Sequence, residues 1–207
     1  RNRIWASVPG SVLGLGNSLL SIDPASGEIV DRLDAGSEPD RLALTGDGSR
    51  IFVTLSGAMA VAEIDLETRQ RVHTLQPPAG EPMKPQSVVA LEGSSGSAAV
   101  SWSHAVVPYG IAIAVYDEGV ARSESYSNFK PDDLIASLAA TPHLTHIYPG
   151  DRPDALFAID EEMHSASGHL VARMGLDEKG ISLDRTLGWA GLQAPSYRHH
   201  GLVPGPD

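Results

Sequence analysis

The feature that most constrains this sequence is a repeat of about 45 residues that recurs along most of the chain. One anchor of the repeat is an apolar residue followed by aspartate and turn-forming residues. Its four copies are Ile22-Asp23, Ile64-Asp65, Tyr116-Asp117 and Ile159-Asp160. A second anchor places evenly spaced prolines at Pro39, Pro85 and Pro131, each ahead of an apolar run. Because two independent anchors keep the same order, the chain is predicted to fold as a series of similar units.

The clearest unit contains four strand-like segments, at 41–45, 50–55, 58–65 and 69–75. Gly46-Asp47-Gly48-Ser49 separates the first two, and a cluster of this kind favours a tight turn. Four short antiparallel strands in a unit of this length are typical of one β-propeller blade. The 21 glycines and 15 prolines fit the same architecture, because each blade needs several tight turns.

The sequence therefore predicts an all-β fold, a β-propeller of four-stranded antiparallel blades within a single domain spanning 1–207. We expect three complete blades at 38–83, 84–129 and 130–178, and partial blades at 1–37 and 179–207. Residues 132–140 have some helix propensity, but the repeat register places a strand there. The blade at 84–129 is lengthened near 106–110. A full ring needs more blades, so we expect the rest to come from further sequence or from another subunit.

Composition excludes several classes of function. The formal net charge of −11 argues against nucleic acid as the main partner, because phosphate backbones are themselves negative. The chain has no cysteine, which excludes thiol nucleophiles and thiolate metal sites. The most membrane-like stretch, 98–116, contains His104, Pro108 and Gly110 and is too interrupted to span a bilayer.

The strand Arg50-Ile51-Phe52-Val53-Thr54, followed by Val61-Ala62-Glu63-Ile64-Asp65, resembles the YVTN-type β-propeller repeats of bacterial and archaeal surface-layer and exported proteins. Segment 21–30 is similar to the second half of that repeat, and Glu38-Pro39-Asp40 lies where the family has a Gly-Pro pair. The resemblance is strong over residues 4–75 and weak over 84–190. It implies a seven-bladed ring, an extracellular or periplasmic location, and a role at the cell surface.

A candidate ligand site follows from propeller geometry. The innermost strand of each blade begins at the mouth of the central channel, so equivalent residues of successive blades form a ring there. The residues next to the repeat prolines are Asp40, Arg41, Gln86, Asp132 and Asp133. Carboxylate and amide oxygens from separate blades can converge on a cation or a polar ligand. The alternative is that these side chains cap turns and solvate the opening.

Other candidate motifs carry less chemistry. The aspartates of the repeat anchor recur in every unit, which indicates a structural turn role. His143 and His146 have a suggestive spacing, but no third metal ligand accompanies them, so no metal site is assigned. No nucleophile elbow and no phosphate-binding loop is present, so no cofactor is predicted. Trp5 and Trp102 are expected to pack between blades.

The sequence thus favours a non-catalytic, exported β-propeller module that binds a protein or small-molecule ligand at the channel face or blade loops. One alternative is a propeller enzyme, a metal-dependent lactonase or lyase, that uses the polar residues of the channel mouth. Another is a subunit of a redox enzyme whose cofactor is carried elsewhere.

Overall fold

The computed structural model describes residues 3–78, 82–105, 110–128, 144–159 and 170–188. These residues form sixteen β-strands in four antiparallel sheets, and no α-helix occurs among them. Consecutive strands pair with each other inside each sheet, except for β11 and β12, and the sheets follow one another along the chain. The predicted all-β fold built from four-stranded antiparallel units is confirmed.

The second sheet is the most regular one. It consists of β4 (Pro39–Leu44), β5 (Arg50–Leu55), β6 (Ala60–Asp65) and β7 (Gln70–Leu75), in that order. β5 and β6 are buried along almost their whole length, because a blade is covered on both faces by its neighbours. Their β-branched and aromatic side chains suit such a strand.

The third sheet begins with β8 (Met83–Ala90), β9 (Ser97–His104) and β10 (Ile111–Asp117). Its outer edge is split between two short strands, β11 (Val120–Ala121) and β12 (Tyr126–Ser127), which both pair with β10. The predicted lengthening of this blade falls mostly on residues 106–109, which lie outside the described part of the chain.

The first sheet has three strands, β1 (Ile4–Val8), β2 (Ser18–Ile22) and β3 (Ile29–Asp34). They correspond to the second, third and fourth strands of the second sheet. The Ile-Asp anchor lies at the end of β2 as it lies at the end of β6, and β1 contacts β4 of the next sheet as β5 contacts β8. The first sheet therefore has no counterpart of the inner strand β4 among the described residues.

The fourth sheet corrects one sequence-based expectation. Its strands are β13 (His146–Pro149), β14 (Ala155–Ile159), β15 (Leu170–Leu176) and β16 (Ile181–Gly188). The predicted boundary between 178 and 179 is wrong, because β16 pairs with β15 along its length instead of starting a new unit. The strand predicted after Pro131 lies outside the described residues.

The cause of this shift is an ambiguous turn signal. Ile159 ends the second strand of its sheet, whereas Ile64 and Tyr116 lie one residue before the end of the third strand of theirs, β6 and β10. In the fourth sheet the third strand ends at Leu176, and Asp177 follows it as the anchor aspartate. Strand propensity cannot tell a second strand from a third.

The core lies between the sheets, in three layers. The layer between the second and third sheets contains Phe52, Val61, Leu75 and Trp102. Trp102 is fully buried, as predicted, and its ring meets the Tyr116 ring edge-on, with centroids 6.3 Å apart. The inner strands contact one another in order, β4 with β8 and β8 with β13. Blades stacked face to face in this way bring equivalent inner-strand residues close together.

Candidate ligand-binding site at the channel mouth

The inner strands β4 and β8 share an irregularity directly after the repeat proline. Pro39 and Pro85 are both paired with the second strand of their sheet, and regular pairing resumes only at Leu42 and Ser87. A β-bulge of this kind changes the direction of the side chains within it. The predicted site residues Asp40, Arg41 and Gln86 occupy these two bulges. We call this end of the inner strands the channel mouth.

Hydroxyl groups on the second strand of each sheet fix the bulges. The backbone N–H of Arg41 donates to Thr54 Oγ1 at 2.8 Å, and the N–H of Ser87 donates to Ser101 Oγ at 3.1 Å. A bulge leaves backbone groups without ladder partners, and unpaired buried groups are costly. Thr54 and Ser101 thus satisfy the same donor in successive blades.

The same hydroxyl position also joins neighbouring blades. Ser7 Oγ donates to the carbonyl oxygen of Asp40 at 2.6 Å, from the first sheet to the second. Ser101 Oγ donates to the carbonyl oxygen of Thr145 at 2.7 Å, from the third sheet to the fourth. Asp40 and Thr145 are therefore equivalent positions in the repeat.

The contact between the third and fourth sheets is extended by Ser87. Its Oγ accepts a hydrogen bond from the backbone N–H of Ile147 at 2.9 Å and lies 2.9 Å from Ser101 Oγ. Both serines are buried. A fully satisfied buried network of this kind fixes the geometry of the strands it joins.

At the mouth, the side chains of Asp40 and Arg41 remain 70% and 57% exposed, and their closest charged atoms are 3.9 Å apart. Gln86 is half-buried, and its Nε2 donates to Ser103 Oγ at 2.8 Å. The structure thus places these three predicted residues at the start of two adjacent inner strands. Side-chain hydroxyl groups fix the backbone of both bulges, while the charged groups of Asp40 and Arg41 are exposed to solvent.

The remaining predicted site residues, Asp132 and Asp133, lie outside the described part of the chain. Their place at the mouth therefore stays a prediction. Among the described residues, Thr145 and His146 lie at the start of β13, the strand of the fourth sheet that contacts β8. His146 is half-buried, and its Nδ1 lies 3.1 Å from Thr145 Oγ1. Sequence spacing missed this pair because the spacing of the repeat in the first three sheets does not continue into the fourth.

At the opposite end of the blades, anchor aspartates cap turns. Oδ1 of Asp23 accepts a hydrogen bond from Ala25 N at 2.8 Å, and Oδ1 of Asp65 accepts one from Thr68 N at 2.7 Å. These backbone hydrogen bonds lower the pKa of both carboxyls. Asp177 caps the corresponding turn of the fourth sheet, with Lys179 N at 2.8 Å.

A further anchor aspartate, Asp117, differs from this pattern. Asp117 accepts two hydrogen bonds from the Arg122 guanidinium, at 2.7 and 2.9 Å, and these lower its pKa. Asp160 lies outside the described residues. The turn between β4 and β5 has its own capping carboxyl, Asp47. The Thr45 hydroxyl, followed by the backbone and side chain of Ser49, lowers the pKa of Asp47 to about 2.

A buried charge cluster that the sequence analysis missed also lies at this opposite end, between the second and third sheets. Glu63 on β6 is fully buried, and its carboxylate accepts a hydrogen bond from Arg50 Nη1 at 2.5 Å. Its other oxygen lies 2.9 Å from Nδ1 of His73 on β7. Arg50 Nη1 also lies 2.9 Å from Glu118 of the third sheet. These carboxylates raise the pKa of Arg50, Glu63 most strongly.

The donor atoms of Glu63, His73 and Glu118 lie within 4.8 Å of one another, as they would around a metal ion. The Arg50 guanidinium, however, already binds both carboxylates and supplies the positive charge that such a group requires. We therefore describe it as an inter-blade ion-pair cluster. The sequence did carry a signal, because Glu63 interrupts an otherwise apolar strand.

A cleft of about 260 Å³ lies at the same end, between the third and fourth sheets. Its lining includes Glu92, Ser94, Arg122, Asp154 and Asp177. Arg122 is already engaged with Asp117 and with the carbonyl oxygen of Asp177.

Across the described ranges, no helix is long and apolar enough to cross a membrane.

No protein-family model and no curated protein matches this chain. Many solved structures do, at low identity. One is the Cps50 (Swd1) β-propeller domain of Myceliophteria thermophila, at 13% identity and a TM-score of 0.61, over 91% of this chain and 58% of that one.

Another similar structure is the dihydro-heme d1 dehydrogenase NirN in complex with DHE, at 13% identity and a TM-score of 0.58 over 92% of this chain. A third is hydrazine synthase of Kuenenia stuttgartiensis, at 15% identity and a TM-score of 0.57 over 77% of this chain. The chain spans 35% and 40% of these two proteins, respectively, so it covers less than two thirds of each similar structure. At this identity the likeness shows the fold alone, and the fold is that of β-propeller blades in an incomplete ring.

Proposed function

We propose that this chain is a non-catalytic binding module whose ligand, a small molecule or a segment of a partner protein, is held at the channel mouth. The observation that carries the proposal is the double bulge at Asp40-Arg41 and Gln86. Polar side chains there lie at equivalent places on adjacent strands, over a backbone that Thr54 and Ser101 hold in position. Preorganised polar groups bind with little ordering cost.

Three further points belong to the same proposal. The chain is a YVTN-type repeat protein, it works outside the cytoplasm, and its ring is completed by further blades from the same protein or from another subunit. The sequence resemblance over residues 4–75 supports the first two points. The third is supported by the three-stranded first sheet and by the partial coverage of the similar structures.

The test is a screen of small-molecule and peptide libraries by ligand-observed NMR, followed by affinity measurements on variants. The mouth variant combines Asp40→Ala, Arg41→Ala and Gln86→Ala. The control variant combines Glu92→Ala, Asp154→Ala and Glu178→Ala, three exposed residues at the opposite end. We expect hits that lose at least tenfold in affinity in the mouth variant and keep it in the control. Hits that depend on the control residues instead would refute the proposal.

The enzyme alternative is tested with the same protein. A metal-dependent lactonase or lyase would turn over lactones or uronate-type substrates and would lose that activity after treatment with a chelator. Measurable turnover that the mouth variant abolishes would replace the binding proposal with the enzyme one.

A further inference from the structure

Most of the positively charged side chains that the structure describes are already engaged. Several described arginines form ion pairs with carboxylates. These pairs are Arg3–Asp23, Arg50–Glu63, Arg69–Asp31, Arg122–Asp117, Arg152–Asp154 and Arg173–Asp184. Arg32 and Arg71 donate to backbone carbonyl oxygens. Each of these groups already has an acceptor within hydrogen-bonding distance, which leaves fewer N–H groups for an external anion.

The channel mouth holds two exceptions. The Arg41 guanidinium has only the 3.9 Å contact with Asp40, between two largely exposed side chains, and such a pair contributes little. Lys84 is exposed and forms no hydrogen bond or ion pair with another described residue. Lys179 and Arg185 also have uncommitted side chains within the described ranges, but they lie on a turn at the opposite end and on the outer strand β16.

Arg41 and Lys84 lie on adjacent inner strands, β4 and β8, which are in contact. Lys84 lies opposite Ser103, the residue that also accepts the hydrogen bond from Gln86. The carboxylate of Glu38, which precedes Pro39 as Lys84 precedes Pro85, accepts from Gly10 N at 3.1 Å and is committed to the first sheet. The mouth thus has two uncommitted cations and one amide at a single end of two strands.

The two uncommitted cations at the mouth suit an anionic group. A guanidinium binds a carboxylate or phosphate through two parallel hydrogen bonds. A lysine adds a flexible point charge. The weak Asp40 contact costs little to displace.

We infer that the channel mouth selects anionic ligands, with Arg41 and Lys84 binding a carboxylate or phosphate group and Gln86 completing the site. This inference rests on the proposed function, because it names the ligand class of the same site. It assigns a role to Lys84, a residue that the repeat pattern alone did not single out.

The test is isothermal titration of the purified chain, at fixed ionic strength, with four probes. Citrate and inorganic phosphate represent the two anionic classes, sucrose is the neutral comparison and spermidine the cationic one. We expect at least one of the anions to bind and sucrose and spermidine not to. Arg41→Gln and Lys84→Gln should each weaken the binding at least tenfold, which corresponds to about 1.4 kcal/mol. Citrate alone would identify a carboxylate site, and phosphate alone a phosphate site.

The matched controls are Arg185→Gln and Lys179→Gln, which remove the same charges away from the mouth and should leave affinity unchanged. Equal losses in the controls would show that only net charge matters, and would overturn the inference. Sucrose or spermidine binding that depends on Asp40 and Gln86 would also overturn it but leave the proposed binding function intact. Anion binding that none of the mouth substitutions affects would contradict both.

Discussion

Arg50 Nη1 lies 2.9 Å from Glu118 Oε2, across the boundary between the second and third sheets. The same nitrogen binds the fully buried Glu63, so one guanidinium joins a buried carboxylate of one blade to an exposed carboxylate of the next. A buried ion pair need not stabilise a fold overall, but removal of one partner leaves a buried charge unpaired. This boundary is therefore sensitive to the loss of Arg50.

Replacement Arg50→Met should lower the free energy of unfolding by roughly 3 kcal/mol, because the buried Glu63 then loses its main partner. Urea denaturation followed by circular dichroism measures the change. The surface pair Arg69–Asp31 provides the control, and Arg69→Met should cost less than about 1 kcal/mol. The double variant Arg50→Met/Glu63→Leu should be more stable than Arg50→Met alone. Equal losses for Arg50→Met and Arg69→Met would show that the cluster is unimportant.

Gly119 tests the packing of the His73 ring against the third sheet. A Cβ at Gly119 would lie 2.8 Å from two atoms of that ring, and the residue has a φ of 83°. Gly27 has a similar φ of 74° but open space around the same position. Gly27→Ala should cost about 1 kcal/mol from backbone strain alone, and Gly119→Ala should cost more. Thermal melts of both variants measure the difference, and equal melting temperatures would show that the ring contact contributes nothing.

Ser101 connects the third and fourth sheets. Ser101→Ala removes the acceptor for Ser87 N and the donor to the Thr145 carbonyl, both in a buried setting. We expect a loss of about 1–3 kcal/mol, the usual cost of leaving such groups unsatisfied. Ser103→Ala, which removes only the half-buried contact with Gln86, is the control and should cost less. Hydrogen exchange at Ile147 should accelerate in the first variant only; unchanged exchange there would contradict the network.

The lowered pKa of Asp47 should make the stability of the fold depend on pH in the acid range. Its folded-state pKa of about 2 lies below the ordinary value of 3.8, so the charged form is favoured by folding. The resulting stabilisation is fully present above about pH 5 and declines as the pH falls through 3.8 toward 2. Asp47→Asn removes this titration, so its stability should depend less on pH over that range. If the free energy of unfolding changed with pH by the same amount in the unsubstituted protein and in Asp47→Asn, the lowered pKa of Asp47 would be contradicted.

Parts of this architecture could be predicted from the sequence because the relevant signals are local. Gly46-Asp47-Gly48-Ser49 and the β-branched residues that follow it define a hairpin without any information from elsewhere in the chain. The repeat prolines likewise placed Asp40, Arg41 and Gln86 on inner strands, where the structure has them.

The fourth sheet could not be predicted in the same way. An apolar residue followed by aspartate is a turn signal wherever it occurs, so Ile159-Asp160 was assigned to the third strand although Ile159 ends the second. Only pairing between strands distinguishes the two, and pairing depends on residues distant in sequence. The cluster at Glu63 was missed for a similar reason, since Arg50, His73 and Glu118 meet it only after two blades have packed together.

The most direct test of the account is chemical-shift mapping of a mouth ligand on isotope-labelled protein. With the anion that binds most tightly in titration, we predict perturbed amide signals at residues 40–42, 84–87 and 145–147, and none at the capped turns around Asp23, Asp65 and Asp177. Perturbations confined to those turns or to the cleft near Glu92 would contradict the assignment of ligand binding to the channel mouth.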